Sequence, residues 1–103
     1  INHYGMDIDK TDSKGWTPLH WSVVEGHEVA ATYLLSWGAK INLADGLGNT
    51  PLHLSVHWAE RELNSRLTKI LLLRGASREI ANNDGKKPIE VIDESEIQKE
   101  LIK

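Results

Sequence analysis

The residues able to do chemistry in this chain are few, and their spacing decides against most of it. His53 and His57 stand four apart, the interval at which two imidazoles on one helix can share a metal ion. No cysteine or third histidine falls near them in the frame, and no His-Glu-x-x-His is present. Asp12, Glu25, Asp45 and Glu60 are candidates for acid–base work, but they fall at expected turns and helix ends, where exposed N–H groups and solvent favour a carboxylate. No serine, histidine and aspartate set stands apart from the repeating frame described below. Gly46-Leu47-Gly48 belongs to a turn of that frame rather than to a phosphate-binding loop. The residues give no catalytic group, no cofactor site and no metal site.

Composition narrows the class further. The 103 residues are 40% apolar and 26% charged, as in an ordinary soluble domain. A net charge of −3 argues against nucleic acid, since neutralising phosphates needs clustered Lys and Arg. The lack of cysteine removes disulfides, thiolate nucleophiles and Cys-ligated zinc together, and suits a reducing compartment. The longest apolar run, Ile70-Leu71-Leu72-Leu73, falls far short of the roughly 20 residues that a membrane span requires. No signal-peptide pattern opens the chain. The expectation is a soluble segment of one domain.

The elements that hold these residues follow from a period. Thr17-Pro18-Leu19-His20 returns as Thr50-Pro51-Leu52-His53 after 33 residues, and Asp12/Asp45, Gly15/Gly48, Gly5/Gly38 and Ile8/Ile41 keep the same interval. A fixed period in this range marks a stacked-repeat architecture. Within one unit Thr17 is an N-cap and Pro18 supplies the preset φ of a first helical position. Leu19, Ser22 and Val23 give an inner stripe, Gly26 ends the helix, and His27-Glu28 opens a second one. Val29, Ala30, Tyr33 and Leu34 are expected to form the buried face of that second helix. Gly38 closes it, and residues 40–48 cross to the next unit through Asp45-Gly46-Leu47-Gly48. The expected fold class is all-α, a solenoid of stacked helix-turn-helix units joined by hairpin-like turns.

Asp12, Gly15, Thr17-Pro18-Leu19-His20, Gly26-His27, Leu34-Leu35 and Gly38-Ala39 share one register with Asp45, Gly48, Thr50-Pro51-Leu52-His53, Leu71-Leu72 and Gly75-Ala76. On these residues the chain resembles the ankyrin repeat family. The resemblance implies that His20 and His53 brace the helix starts by bonding to Thr17 and Thr50 or to neighbouring backbone. It also divides the chain into 1–11, the tail of a repeat without its helices; 12–44, a full repeat; 45–81, a repeat with a four-residue insertion; and 82–103, a degenerate repeat or cap. The insertion follows from the spacings Pro51–Pro88 and Gly38–Gly75, which are both 37, and it reads as a lengthened first helix or a larger loop. In the last unit Asn82 replaces Asp, Lys87 replaces Thr and Glu90 replaces His, with a second helix expected from about Ser95 to Ile102. Further repeats are expected N-terminal to Ile1.

Four tryptophans and no phenylalanine are an unusual allocation. Trp21 occupies a slot where the family usually has Leu, in register with Leu54 and Val91, and reads as packing. Trp16 stands at the variable turn position shared with Asn49 and Lys86. Trp58 stands beside His57 near the end of a first helix, matched by Val24 and Glu25 one unit earlier. The resemblance implies that such turn and first-helix positions line a concave face that grips partners, and aromatic residues there make good anchors. The alternative is that Trp16 and Trp58 lean on neighbouring repeats or on other parts of a longer protein. Trp37 and Tyr4 share a phase and suggest a second, edge surface.

The expected function is a non-catalytic module that binds a protein or peptide through Trp16, Val24, Glu25, Leu47, Asn49, His57 and Trp58, in the cytoplasm. The runs Gly15–Trp21 and Tyr33–Gly38, the extended second repeat and the stretch Arg66–Ala76 are also similar to the ankyrin region of DHHC-type protein palmitoyltransferases. That resemblance implies a substrate-recruiting array on the cytosolic side of a membrane enzyme whose Asp-His-His-Cys motif and spans are absent from these residues. A third reading is a structural array segment within a large assembly.

Overall fold

The computed structural model describes residues 7–62 and 66–91; for residues 58–62 only the backbone is described. Residues 1–6, with Tyr4, and the expected helix at Ser95–Ile102 lie outside the described residues. Helix α1 (Pro18–Val24) starts where the sequence expects it. Thr17 is extended (φ −83°, ψ 169°), its hydroxyl accepts the His20 backbone N–H at 3.3 Å, and His20 Nδ1 accepts the Thr17 backbone N–H at 3.1 Å. These reciprocal bonds satisfy two donors that a helix start otherwise leaves open. Proline in the first turn gives up no helical bond. The helix stops at Glu25, and Gly26 (φ 72°) turns the chain into α2 (Glu28–Ser36).

The second unit repeats this construction at Thr50 and His53, with bonds of 3.1 and 3.4 Å, to open α3 (Pro51–Glu62). Helix α3 has 12 residues against 7 in α1, so the insertion lengthens the first helix. Helix α4 (Arg66–Leu73) follows, and a single 3-10 turn at Pro88–Val91 stands where a third first helix is expected. Among the described residues there are four α-helices and no strand. Helix α1 packs on α2 and α3 on α4 within units; α1 packs on α3 and α2 on α4 between them, and α3 on the 3-10 turn.

The inner stripe is buried in both units: Leu19, Ser22 and Val23, then Leu52, Ser55 and Val56, joined by Ala31, Leu71 and Ala76. Serine is tolerated there because each hydroxyl has a partner. Ser22 donates to the Pro18 carbonyl at 2.9 Å, Ser55 to the Leu52 carbonyl at 2.9 Å, and Thr68 of α4 donates to Ser55 at 3.0 Å.

The expected buried face of α2 needs correction. Val29 is 84% and Tyr33 60% exposed, Ala30 is exposed too, and of that set only Leu34 packs against the core. Ala31, fully buried, and Leu35, four residues on, point inward instead. Val29 and Tyr33 each stand two residues from Ala31 or Leu35, about 200° round the helix, and so face outward.

Candidate functional site

Three turns with one hydrogen-bond pattern carry most of the candidate site. In the first, Asp12 N–H donates to the Trp16 carbonyl at 3.0 Å, and Asp12 Oδ1 accepts the backbone N–H groups of Lys14 and Trp16 at 2.9 and 3.0 Å. Asp45 repeats each of these bonds with Leu47 and Asn49, and Asn82 repeats them with Asp84 and Lys86. One side-chain oxygen thus organises each turn, as Asx turns do. Adjacent turns then bond to each other. Gly46 N–H donates to the Lys14 carbonyl at 3.0 Å, and Asn83 N–H to the Leu47 carbonyl at 2.9 Å.

This close approach explains the glycines. Gly15 and Gly48 have φ of 78° and 81°, and a Cβ there would lie 2.7 Å from the backbone nitrogen of Gly46 and of Asn83 respectively. Both the left-handed conformation and the lack of space exclude a side chain.

The second carboxylate oxygen of each Asp takes a tryptophan. Trp21 Nε1–H donates to Asp12 Oδ2 at 2.7 Å, and Trp16 Nε1–H reaches from the first turn to Asp45 Oδ2 of the second at 2.8 Å. At the next interface the same position changes chemistry. Asn49 replaces Trp16, its Oδ1 is an acceptor, and its partner is the Asn82 Nδ2 donor at 2.9 Å. The substitution of Asn for Asp at 82 is therefore complementary to Asn49 rather than a loss of pattern. Glu90 compensates similarly in the His slot: its Oε1 accepts the Lys87 N–H at 2.8 Å, the role that His20 Nδ1 has for Thr17.

His20 and His53 also cross to the next turn. His20 Nε2–H donates to the Asn49 carbonyl at 3.0 Å, and His53 Nε2–H to the Lys86 carbonyl at 2.9 Å. A carbonyl can only accept, and Nδ1 already accepts a backbone N–H, so both rings are neutral Nε2–H tautomers. Both are buried, at 0% and 1% exposure, and are braces rather than metal ligands. Among the described residues no group of three or more His, Cys, Asp or Glu is placed to hold a metal.

Burial holds the His20 pKa below its ordinary 6.5, against the opposing pull of the Asn49 carbonyl, Asp45, the Leu43 carbonyl and Asp12. The unfolded chain therefore binds a proton near pH 6.5 that the folded chain refuses, so stability rises with pH across that window and is lost as pH falls through it. Denaturation midpoints should drop between about pH 7.5 and about pH 5.5, and His20→Gln should flatten that slope; an unchanged slope in the variant would contradict the assignment.

Of the expected partner-binding residues, Trp16 is half-buried and Leu47 is 70% exposed at the tip of the second turn. Asn49 and His57 come together with His53, Leu54, Asn82, Asp84, Lys86 and Val91 around an open hollow of about 310 Å³. Val24 and Glu25 sit at the far end of α1, half-buried and exposed, and do not line that hollow. The Trp58 side chain lies outside the described residues.

Trp21 corrects the sequence reading. It is 39% exposed, and its ring meets the Trp16 ring edge-on, with centroids 4.7 Å apart at 80°. The missed signal was its N–H: a large ring with a donor avoids a slot lacking an acceptor, and Asp12 offers one at the surface. Lys14 Nζ lies 4.7 Å from the Trp16 centroid and 5.4 Å from that of Trp21. Desolvation pushes the Asp12 carboxyl up, but N–H donors from Trp16, Trp21 and Lys14 and the Lys14 charge outweigh it, and its pKa lies below the ordinary value. A second hollow, of about 670 Å³ and mostly apolar, lies on α2 between Gly26 and Leu34, away from the turns.

Comparison with known proteins places these features. The family model described as "Ankyrin repeats (3 copies)" matches residues 1–45, and that described as "Ankyrin repeat" matches residues 47–83. Human Rabankyrin-5 is 31% identical over 93 residues, which is 82% of this chain and 8% of that protein. Palmitoyltransferase AKR1 of Saccharomyces cerevisiae is 38% identical over 71 residues, 69% of this chain and 9% of that protein. Protein phosphatase 1 regulatory subunit 27 of Mus musculus is 31% identical over 88 residues, 85% of this chain and 54% of that protein. The chain thus spans under a tenth of the first two and about half of the third. Paired helices without strands among the described residues, Thr–His braces at α1 and α3 and the matched stretches agree in one register: the chain belongs to the ankyrin-repeat family.

Proposed function

We propose that this chain is a non-catalytic module that holds a protein or peptide along its turn tips and first helices. The observation that carries this reading is the continuity of that face. Trp16 closes the first turn, Leu47 stands at the tip of the second, and Asn49, two residues on from Leu47, lines the hollow with His57. A half-buried aromatic ring and an exposed aliphatic tip beside a partly polar hollow are what a binding surface needs: anchors with few rotamers to freeze, and polar groups to set register. Leu47 is the cleanest probe, because its backbone N–H and carbonyl are bonded while its side chain is exposed. Leu47→Asp should reduce partner capture at least tenfold without moving the thermal midpoint, whereas Leu73→Asp, at an 87% exposed position on α4, should leave capture unchanged. Equal capture by the Leu47 variant would sink the reading.

A second reading takes the chain as part of a longer protein. The match to palmitoyltransferase AKR1 supports a substrate-recruiting array of a membrane palmitoyltransferase, acting from the cytosol. No helix among the described residues is long and apolar enough to cross a membrane, so in this reading the spans belong to other residues of that protein. The hollow on α2 fits an additional repeat. Leu71 of α4 is fully buried beside α2, while its equivalent 37 residues earlier, Leu34, is half-buried and lines that hollow. A preceding second helix would cover Leu34.

A further inference from the structure

We propose that the Trp16–Trp21 pair is a receptor for a basic side chain of the partner, an arginine guanidinium or a lysine ammonium, and that Lys14 is its displaceable occupant. The inference rests on the protein-binding reading above and adds the chemistry of the partner. Both indole N–H groups are already committed, Trp21 to Asp12 at 2.7 Å and Trp16 to Asp45 at 2.8 Å. What the rings have left to offer is their π faces, set at 80° to each other so that one incoming group can meet two aromatic surfaces. A carboxylate accepting an indole N–H also pushes electron density into the ring, which strengthens its attraction for a cation.

A cation already fits against both rings. Lys14 Nζ lies within 6 Å of both centroids, the range in which the ring quadrupole holds a cation. Lys14 itself is exposed and on a flexible stem, so leaving the rings for water costs it little. The two carboxylates at the pair, in a chain of net charge −3, favour an incoming cation and disfavour an acidic peptide or a phosphate backbone. Guanidinium suits the place better than ammonium, because it is planar and weakly hydrated and stacks on indole.

The test uses the 103-residue chain labelled with 15N, and two peptides, Ac-Gly-Arg-Ala-Arg-Gly-amide and its counterpart with Glu at both Arg positions. The Arg peptide should shift the indole N–H resonances of Trp16 and Trp21 saturably and leave that of Trp37 in place, and the Glu peptide should shift none. Lys14→Ala should tighten Arg-peptide binding roughly two- to fivefold by removing the competitor. Trp21→Leu, which installs the residue found at the equivalent position 54, should abolish it. Absence of a saturable shift, equal shifts with the Glu peptide, or unchanged affinity in Lys14→Ala would overturn the proposal. Loss of capture in Leu47→Asp together with no Arg-peptide binding would overturn this inference alone. Arg-peptide binding with unaltered capture in Leu47→Asp would instead remove the broader reading.

Discussion

His20→Ala is expected to lower the unfolding free energy by about 3–5 kcal/mol, read as a drop in denaturant midpoint at constant slope. The ring is fully buried and serves three groups at once: the Thr17 backbone N–H, the Thr17 hydroxyl and the Asn49 carbonyl 29 residues away. Alanine leaves a buried donor without its acceptor and an inter-repeat carbonyl without its donor, each costing about 1–3 kcal/mol, and opens a cavity besides. Against a total stability of about 5–15 kcal/mol for a domain, the loss is large. A change below about 1 kcal/mol would mean that the turn-to-helix brace is not what couples the units.

Gly48→Ala is the second large effect, and Gly85 supplies its control. Both glycines have positive φ, 81° and 74°, so each alanine variant carries the left-handed cost of about 1–2 kcal/mol. At Gly85 a Cβ meets nothing within 4 Å. At Gly48 it would lie 2.6 Å from Asn83 Oδ1, 2.7 Å from Asn83 N and 3.0 Å from Asn82 Cα, so backbone must move and the Leu47–Asn83 ladder bond with it. Gly48→Ala should therefore cost about 3–4 kcal/mol and Gly85→Ala about 1–2 kcal/mol, by thermal or denaturant melts. Equal costs would show that the turns do not pack as tightly as the ladder bonds require.

These two sites also show what the sequence could and could not tell. The period located Thr17, His20, Thr50 and His53 and both helix starts, because capping is local: donor, acceptor and chain reversal lie within four residues. It also expected a lengthened first helix or a larger loop, and α3 took up the extra residues. It did not show that the histidines bond onward to the next turn, since register within a unit says nothing of which carbonyl a neighbour presents. Rotation was invisible for the same reason: Val29 and Tyr33 stand at helical spacing, yet the inward row belongs to Ala31 and Leu35. The last unit looked eroded by letter comparison, but Asn82 suits Asn49 and Glu90 caps Lys87, which only donor and acceptor matching reveals. Trp21 was misread because its slot usually holds an aliphatic residue, and an indole N–H cannot be ignored as a methyl can.

The binding face is tested most directly by a photo-crosslinking amino acid placed at Leu47 and, separately, at Leu73 of this chain inside cells. Both positions are exposed, at 70% and 87%, so labelling itself does not distinguish them. Discrete protein adducts from position 47, lost on Trp16→Ala and absent from position 73, are the expected result. Adducts from position 73 with none from position 47 would place the partner on α4 and contradict the account.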